Sequence, residues 1–219
     1  MKVLVVSPHP DDETLGARGT IKRFIDEGNE VYWLNITTVK GNNNFSHDLI
    51  SKIDYQIKQI EKIYNYSVVF HLNLPTTKLS SIDDNIAIER IGKIIKNIQP
   101  NIMILPDYND AHSDHKKVFD WCFACTKVFR YPSIKEVMTM EIVSETDYGR
   151  PENKFVPNYF VDITEYINHK INALKIYDTE IGEPPFSRSI ENVMALATLR
   201  GGMSGVRYAE GFRLIKKII

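Results

Sequence analysis

The chain has 219 residues, 43% hydrophobic and 25% charged, with a formal net charge of −1. That length supports one sizeable core and falls short of two ordinary domains, so a single domain over 1–219 is expected. The near-zero charge excludes a global field that gathers nucleic acid or anionic lipid, and no apolar run is long enough for a membrane span.

The first apolar run, Val3-Leu4-Val5-Val6, is too short for the core of a signal peptide and is cut off by Pro8-His9-Pro10. It predicts a buried strand over 2–6. A helix follows over 14–27, with Leu15, Ile21, Phe24 and Ile25 at helical spacing and Gly28 placed to close it. The pattern then repeats: strand 30–36, helix 46–64, strand 67–72, helix 83–99, strand 101–105, helix 113–129 and strand 136–142. Beyond it the reading is a loop over 145–157, a sixth strand over 159–163 and a helix over 164–179 capped by Thr164. After a break at Pro184-Pro185 come a helix over 187–199 and a closing segment over 206–219. The basic residues from 213 to 217 read as a solvated helix or strand face.

Alternating strands and helices predict βαβ units joined by right-handed crossovers. The simplest result is an α/β fold of the Rossmann type, an open, doubly wound and mostly parallel sheet. In the usual order 3-2-1-4 the first and fourth strands are neighbours, and ligands bind beyond their C-terminal ends. Functional residues should therefore follow those two strands.

Two motifs do so: Ser7-Pro8-His9-Pro10-Asp11-Asp12-Glu13 after the first strand, and His112-Ser113-Asp114-His115 after the fourth. A strand-to-helix turn can aim His9 and Asp12 at one point, and His115 can join them from the neighbouring loop. Two imidazoles and a carboxylate suit Zn²⁺, although other divalent metals fit the same donors, and three protein ligands leave a position for water. Asp11 is placed to accept that water's proton. His112 is placed to stabilise an oxyanion or protonate a leaving amine, with Asp114 orienting it. The competing reading is that Asp11, Asp12 and Glu13 only favour a helix N-terminus, and that His-x-x-His lies on an exposed helix.

Pro8-His9-Pro10-Asp11-Asp12-Glu13, with Leu15-Gly16 and Gly19-Thr20 after it, resembles the opening signature of the LmbE-like, or PIG-L, de-N-acetylases. His112-Ser113-Asp114-His115 resembles that family's second metal motif, with Ser113 in place of the usual proline. The tail Arg200-Gly201, with Gly205 to Phe212, is similar to its closing segment. The resemblance implies a Rossmann-like fold, a mononuclear zinc site and hydrolysis of an N-acetyl group on a glucosamine-type sugar. It makes His9, Asp12 and His115 the zinc ligands, Asp11 the general base, His112 the acid or oxyanion stabiliser and Asp114 the partner of that histidine. Lys52 stands where many members carry a substrate-binding arginine, as a point charge without a planar fork. Arg18 stands where small residues are common and is expected to face the pocket.

The leading expectation is a zinc-dependent N-deacetylase acting on an amino sugar, its glycoside or its nucleotide conjugate. The rivals are another metallohydrolase on the same site, such as a deformylase or phosphoesterase, and a non-catalytic zinc-containing sugar-binding protein. The partner is a small-molecule substrate rather than nucleic acid, and homo-oligomerisation is left open. Cys122 and Cys125 make no disulfide framework, so a reducing cytoplasm is expected. With Val118 and Phe129 they form an apolar helical stripe, which reads as core rather than a redox centre. No Gly-x-Gly-x-x-Gly follows the first strand, which argues against dinucleotide binding.

Overall fold

The structure is a computed structural model that describes residues 1–219. The expected alternation is present through the first half of the chain: β1 (Lys2–Ser7), α1 (Asp12–Asp26), β2 (Glu30–Thr38), α2 (His47–Tyr64), β3 (Val68–Pro75), α3 (Asp84–Ile98), β4 (Ile102–Leu105) and α4 (Ser113–Ala124). There follow β5 (Glu136–Met140), β6 (Tyr159–Asp162), α5 (Ile167–Leu174), α6 (Ile190–Ser204) and β7 (Ala209–Lys217). One seven-stranded sheet runs β3-β2-β1-β4-β5-β7-β6. Its first five strands are parallel, and β7 is antiparallel to both β5 and β6. The α/β doubly wound sheet and the β1–β4 adjacency are therefore as the sequence predicts.

Side chains of β1 alternate between two cores, as strand geometry requires. Val3 and Val5 join one apolar cluster with residues of α1, α2, α5 and α6; Leu4 and Val6 join the other with residues of α3 and α4. Both faces are covered, so the central strands are apolar throughout rather than half polar. Two glycines let α1 lie close to the sheet. A Cβ on Gly16 would sit 2.8 Å from Met140, and one on Gly19 would sit 2.5 Å from Ile163. No helix is long and apolar enough to cross a membrane.

The second half departs from expectation in three places. The closing segment is a full strand, β7, lodged between β5 and β6. Helix α4 stops at Ala124, where the Cys125 N–H turns back to the carbonyls of Cys122 and Phe123. Val118, Cys122 and Cys125 are core residues, but Phe129 lies beyond the helix and is exposed. The predicted helix over 164–179 is a 3₁₀ turn, Thr164–Tyr166, followed by the short α5. There Asp162 accepts from the Thr164 N–H, so the aspartate caps the turn rather than Thr164.

Candidate metal centre and active site

The parallel register pairs Val5 with Ile104, so the loops after β1 and β4 emerge side by side. His9 and Asp12 come from the first loop and His115 from the first turn of α4. Their facing atoms form a triangle. His9 Nδ1 lies 3.3 Å from His115 Nε2 and 3.5 Å from Asp12 Oδ2, and His115 Nε2 lies 3.4 Å from the same carboxylate oxygen. Ligands ~2.0–2.1 Å from a tetrahedral Zn²⁺ stand about 3.3–3.4 Å apart, so the triangle matches one face of such a site.

The hydrogen bonds around these residues leave lone pairs pointing inward. The buried Asp110 carboxylate accepts from His115 Nδ1 at 2.8 Å, which fixes the tautomer with Nε2 bare. Asp114 Oδ2 lies 3.3 Å from His9 Nε2, which likewise leaves Nδ1 bare. Asp12 takes the His9 backbone N–H at 2.8 Å on Oδ2, while its buried Oδ1 has no partner. Three acceptors facing one another in a buried cluster require positive charge. Burial pulls His9 down, yet its hydrogen bonds to Asp114 and Asp12 outweigh that and push it up to about 10. His115 is also raised, with Asp12 and Asp110 outweighing its burial. The residues present fit a divalent cation.

The acidic run after β1 does not serve as a helix cap. Asp11 occupies the N-cap position of α1, but its side chain makes no capping bond. Its Oδ2 accepts instead from Arg188 Nη1 at 2.8 Å. Burial, then the neighbouring Asp12, push Asp11 up to about 7, and Arg188 opposes them. Glu13 is fully buried, accepts from the Thr14 and Tyr177 hydroxyls, and is driven by burial up to about 8.

His112 is the N-cap of α4, where its Nδ1 accepts from the Asp114 backbone N–H at 3.0 Å. In the neutral ring the proton therefore sits on Nε2. Burial, then the charges of His9 and His115, push His112 down to about 4, so at neutral pH it is an uncharged donor. Its ring centroid lies 4.6 Å from that of His9.

The structure places Asp114 differently from the pairing that the resemblance implied. Its carboxylate accepts from Thr77 N at 2.7 Å and Leu79 N at 3.3 Å and reaches His9. Only its backbone N–H meets His112. Thr77 is held at φ +62°, a conformation that costs a β-branched residue dearly. The loop after β3 thus also braces the metal centre.

The cleft over this cluster is lined by His9, Asp11, His112, Glu145, Glu180 and Arg188, among others. Two residues proposed from the sequence to touch substrate lie elsewhere. Arg18 is buried, with its guanidinium 3.6 Å above the Tyr64 ring, because its position on α1 points it at α2 rather than at the cleft. Lys52 is half-exposed and donates to Asp178 at 2.9 Å; Ile53 and Gln56 of the same helix line the cleft in its place.

Sequence reasoning missed Asp110, Glu145 and Arg188. Glu145 links the two motifs: its backbone carbonyl accepts from Ala111 N, Oε2 from His112 N and Oε1 from Arg188. Only Asp110 had a local signal, as an acidic residue in the same short loop as the second motif.

Over 230 aligned residues the chain is 26% identical to diacetylchitobiose deacetylase of Thermococcus kodakarensis, covering 99% of the chain and 84% of that protein. Its fold is shared with N,N'-diacetylchitobiose deacetylase from Pyrococcus horikoshii, at TM-score 0.79 and 23% identity over 98% of this chain and 84% of that one. It is shared equally with 4-carboxy-2-hydroxymuconate hydratase from Pseudomonas putida KT2440, at TM-score 0.77 and 16% identity over 100% of this chain and 97% of that one. The fold by itself therefore does not select a reaction. The profile of the PIG-L family, described as GlcNAc-PI de-N-acetylase, matches residues 4–125, more than half of the chain and both motifs included. The chain belongs to the PIG-L family of de-N-acetylases.

Proposed function

We propose that this protein is a zinc-dependent deacetylase that removes the N-acetyl group from a glucosamine-type sugar. The observation that carries the reading is the triangle of His9, Asp12 and His115 at the floor of a cleft whose wall holds Asp11 and His112. Family membership and the likeness to a diacetylchitobiose deacetylase support it.

His9, Asp12 and His115 would hold the ion, which when bound supplies a Lewis acid and a water of lowered pKa. The remaining chemistry falls to the chain's own residues. Asp11, oriented by Arg188, takes the proton of the attacking water. His112, neutral and with its proton on Nε2, donates to the acyl oxygen as charge builds there. In this scheme Asp11 returns a proton to the departing amine, while the buried His112 stays the donor to the acyl oxygen. The sequence reading left that step open between the two. Asp110 and Asp114 keep His115 and His9 aimed inward. The two buried free cysteines suit a reducing compartment, in keeping with a cytoplasmic setting.

The test is metal analysis together with an amine-release assay over N-acetyl sugars. Stoichiometric zinc with amine release that chelation abolishes is the expected result. Turnover that survives complete metal removal would refute it.

A further inference from the structure

Arg188 is the only lysine or arginine lining the cleft, and its donors are occupied by the protein itself. Nε donates to Ser144 Oγ at 2.6 Å, Nη1 to Asp11 at 2.8 Å and Glu180 at 3.3 Å, and Nη2 to Glu145 at 3.3 Å. Four of its five N–H groups are therefore committed. The nearby lysines are also paired, Lys52 with Asp178 and Lys40 with Asp54, each at 2.9 Å. Against this, Glu145 and Glu180 stand on the cleft wall beyond the metal ligands. A divalent ion and Arg188 together would carry one positive charge fewer than the negative charges of Asp11, Asp12, Glu145 and Glu180, so the cleft keeps a net negative charge. The other wall residues are neutral, among them Gln56, Thr37, Thr76 and Phe45.

We infer that the cleft selects its substrate by charge, accepting acylated amino sugars whose remainder is neutral or carries an ammonium group and rejecting those that carry phosphate or a nucleotide. The inference rests on the proposed deacetylase reading and narrows it, because the sequence left glycosides and nucleotide conjugates equally open. A phosphate near the reacting amide would face Glu145 and Glu180, with only one uncommitted Arg188 N–H and the His112 Nε2–H, which the acyl oxygen needs, to replace its water. To offer it a bidentate pair, Arg188 would have to break at least one of its bonds to Asp11, Glu145, Glu180 or Ser144. A substrate ammonium meets the same two carboxylates favourably. Like charges set against each other in this way exclude a ligand more strongly than lost contacts do.

The experiment compares kcat/KM for amine release from N-acetylglucosamine and from N-acetylglucosamine 6-phosphate with the zinc-loaded protein at low and high salt. It is paired with calorimetric titration of glucosamine and glucosamine 6-phosphate. The phosphorylated sugar is expected to be worse by about tenfold or more at low salt in both measurements. The gap should narrow as the screening length falls from about 10 Å at 0.1 M to about 3 Å at 1 M. Glu180→Gln should narrow it as well, by improving use of the phosphorylated sugar. Equal or better use of that sugar would overturn the inference, as would a gap indifferent to both salt and Glu180→Gln, which marks steric exclusion. Failure to release amine from any acyl sugar would sink the deacetylase reading instead, and the titration alone would then decide the charge preference.

Discussion

Arg188 Nη1 donates to Asp11 Oδ2 at 2.8 Å across a separation of 177 positions in the chain. The pair joins the proposed base after β1 to the segment that leads into α6. Asp11 must be ionised to take a proton, so activity should fall as the pH drops through its pKa. Burial and Asp12 hold that pKa up, at about 7, and Arg188 pulls against them. Arg188→Met removes the opposing charge and raises the pKa further. The acid limb of the kcat/KM profile should therefore move to higher pH, with metal content unchanged and Arg188→Lys intermediate. An unmoved acid limb in Arg188→Met would show that Arg188 does not act through Asp11.

Asp11→Asn keeps the shape of the side chain and removes the base. It should retain metal and lose turnover by roughly 10²–10⁴-fold. Loss of zinc from this variant, read by atomic absorption, would make Asp11 a ligand and refute the role given to it.

The metal centre predicts a graded series. His115→Ala and Asp12→Ala should lose the metal outright. Asp110→Asn and Asp114→Asn each disturb a residue that orients a ligand imidazole and should weaken affinity by roughly 10–100-fold. Competition with a chromogenic chelator measures this. If Asp114→Asn leaves affinity intact and lowers only kcat, the carboxylate serves His112 rather than His9.

The proposed role of His112 is that of a neutral donor through Nε2, since burial and the charges of His9 and His115 push its pKa down to about 4. His112→Ala should cost about 10²–10³-fold in kcat, the usual effect of removing one oxyanion donor. His112→Gln, whose amide can donate from a similar position, should recover part of the loss. Equal losses in the two variants would mean that the ring does more than donate a hydrogen bond.

Glu210 is buried, accepts from the backbone N–H groups of Gly19 and Thr20, and pairs with the buried Lys170 at 2.7 Å. Glu210→Ala leaves Lys170 uncompensated and should destabilise the protein by about 3–5 kcal/mol, read by urea unfolding. Glu210→Leu combined with Lys170→Met should cost less than Glu210→Ala alone, since no buried charge is then left unpaired.

The parallel half of the sheet was legible because each strand is a short apolar run and each helix an apolar stripe with a capping signal. Ser46 and Asp83, for instance, cap α2 and α3 through their side chains. The triangle of His9, Asp12 and His115, the candidate metal site, was legible because its three residues lie in two compact motifs at strand ends that topology makes neighbours. Arg188 and Glu145 were not, since each sits in a loop and gains its meaning only from a partner far away in sequence. β7 was missed for a related reason. Its burial runs from fully buried at Ala209 to half-exposed beyond Phe212 with no alternation, so neither a period of two nor an apolar run marks it. Arg18 illustrates the reverse error: a charged residue near a motif was read as facing the pocket, whereas α1 turns it onto Tyr64.

β7 lies second from the edge of the sheet, and β6 has no other neighbour in the ladder. The strand that admits β6 also carries Glu210, which grips the first helix, and packs against α6, whose leading segment holds Arg188. Loosening β7 would therefore strip β6 of its only partner and unseat α1 and α6 together.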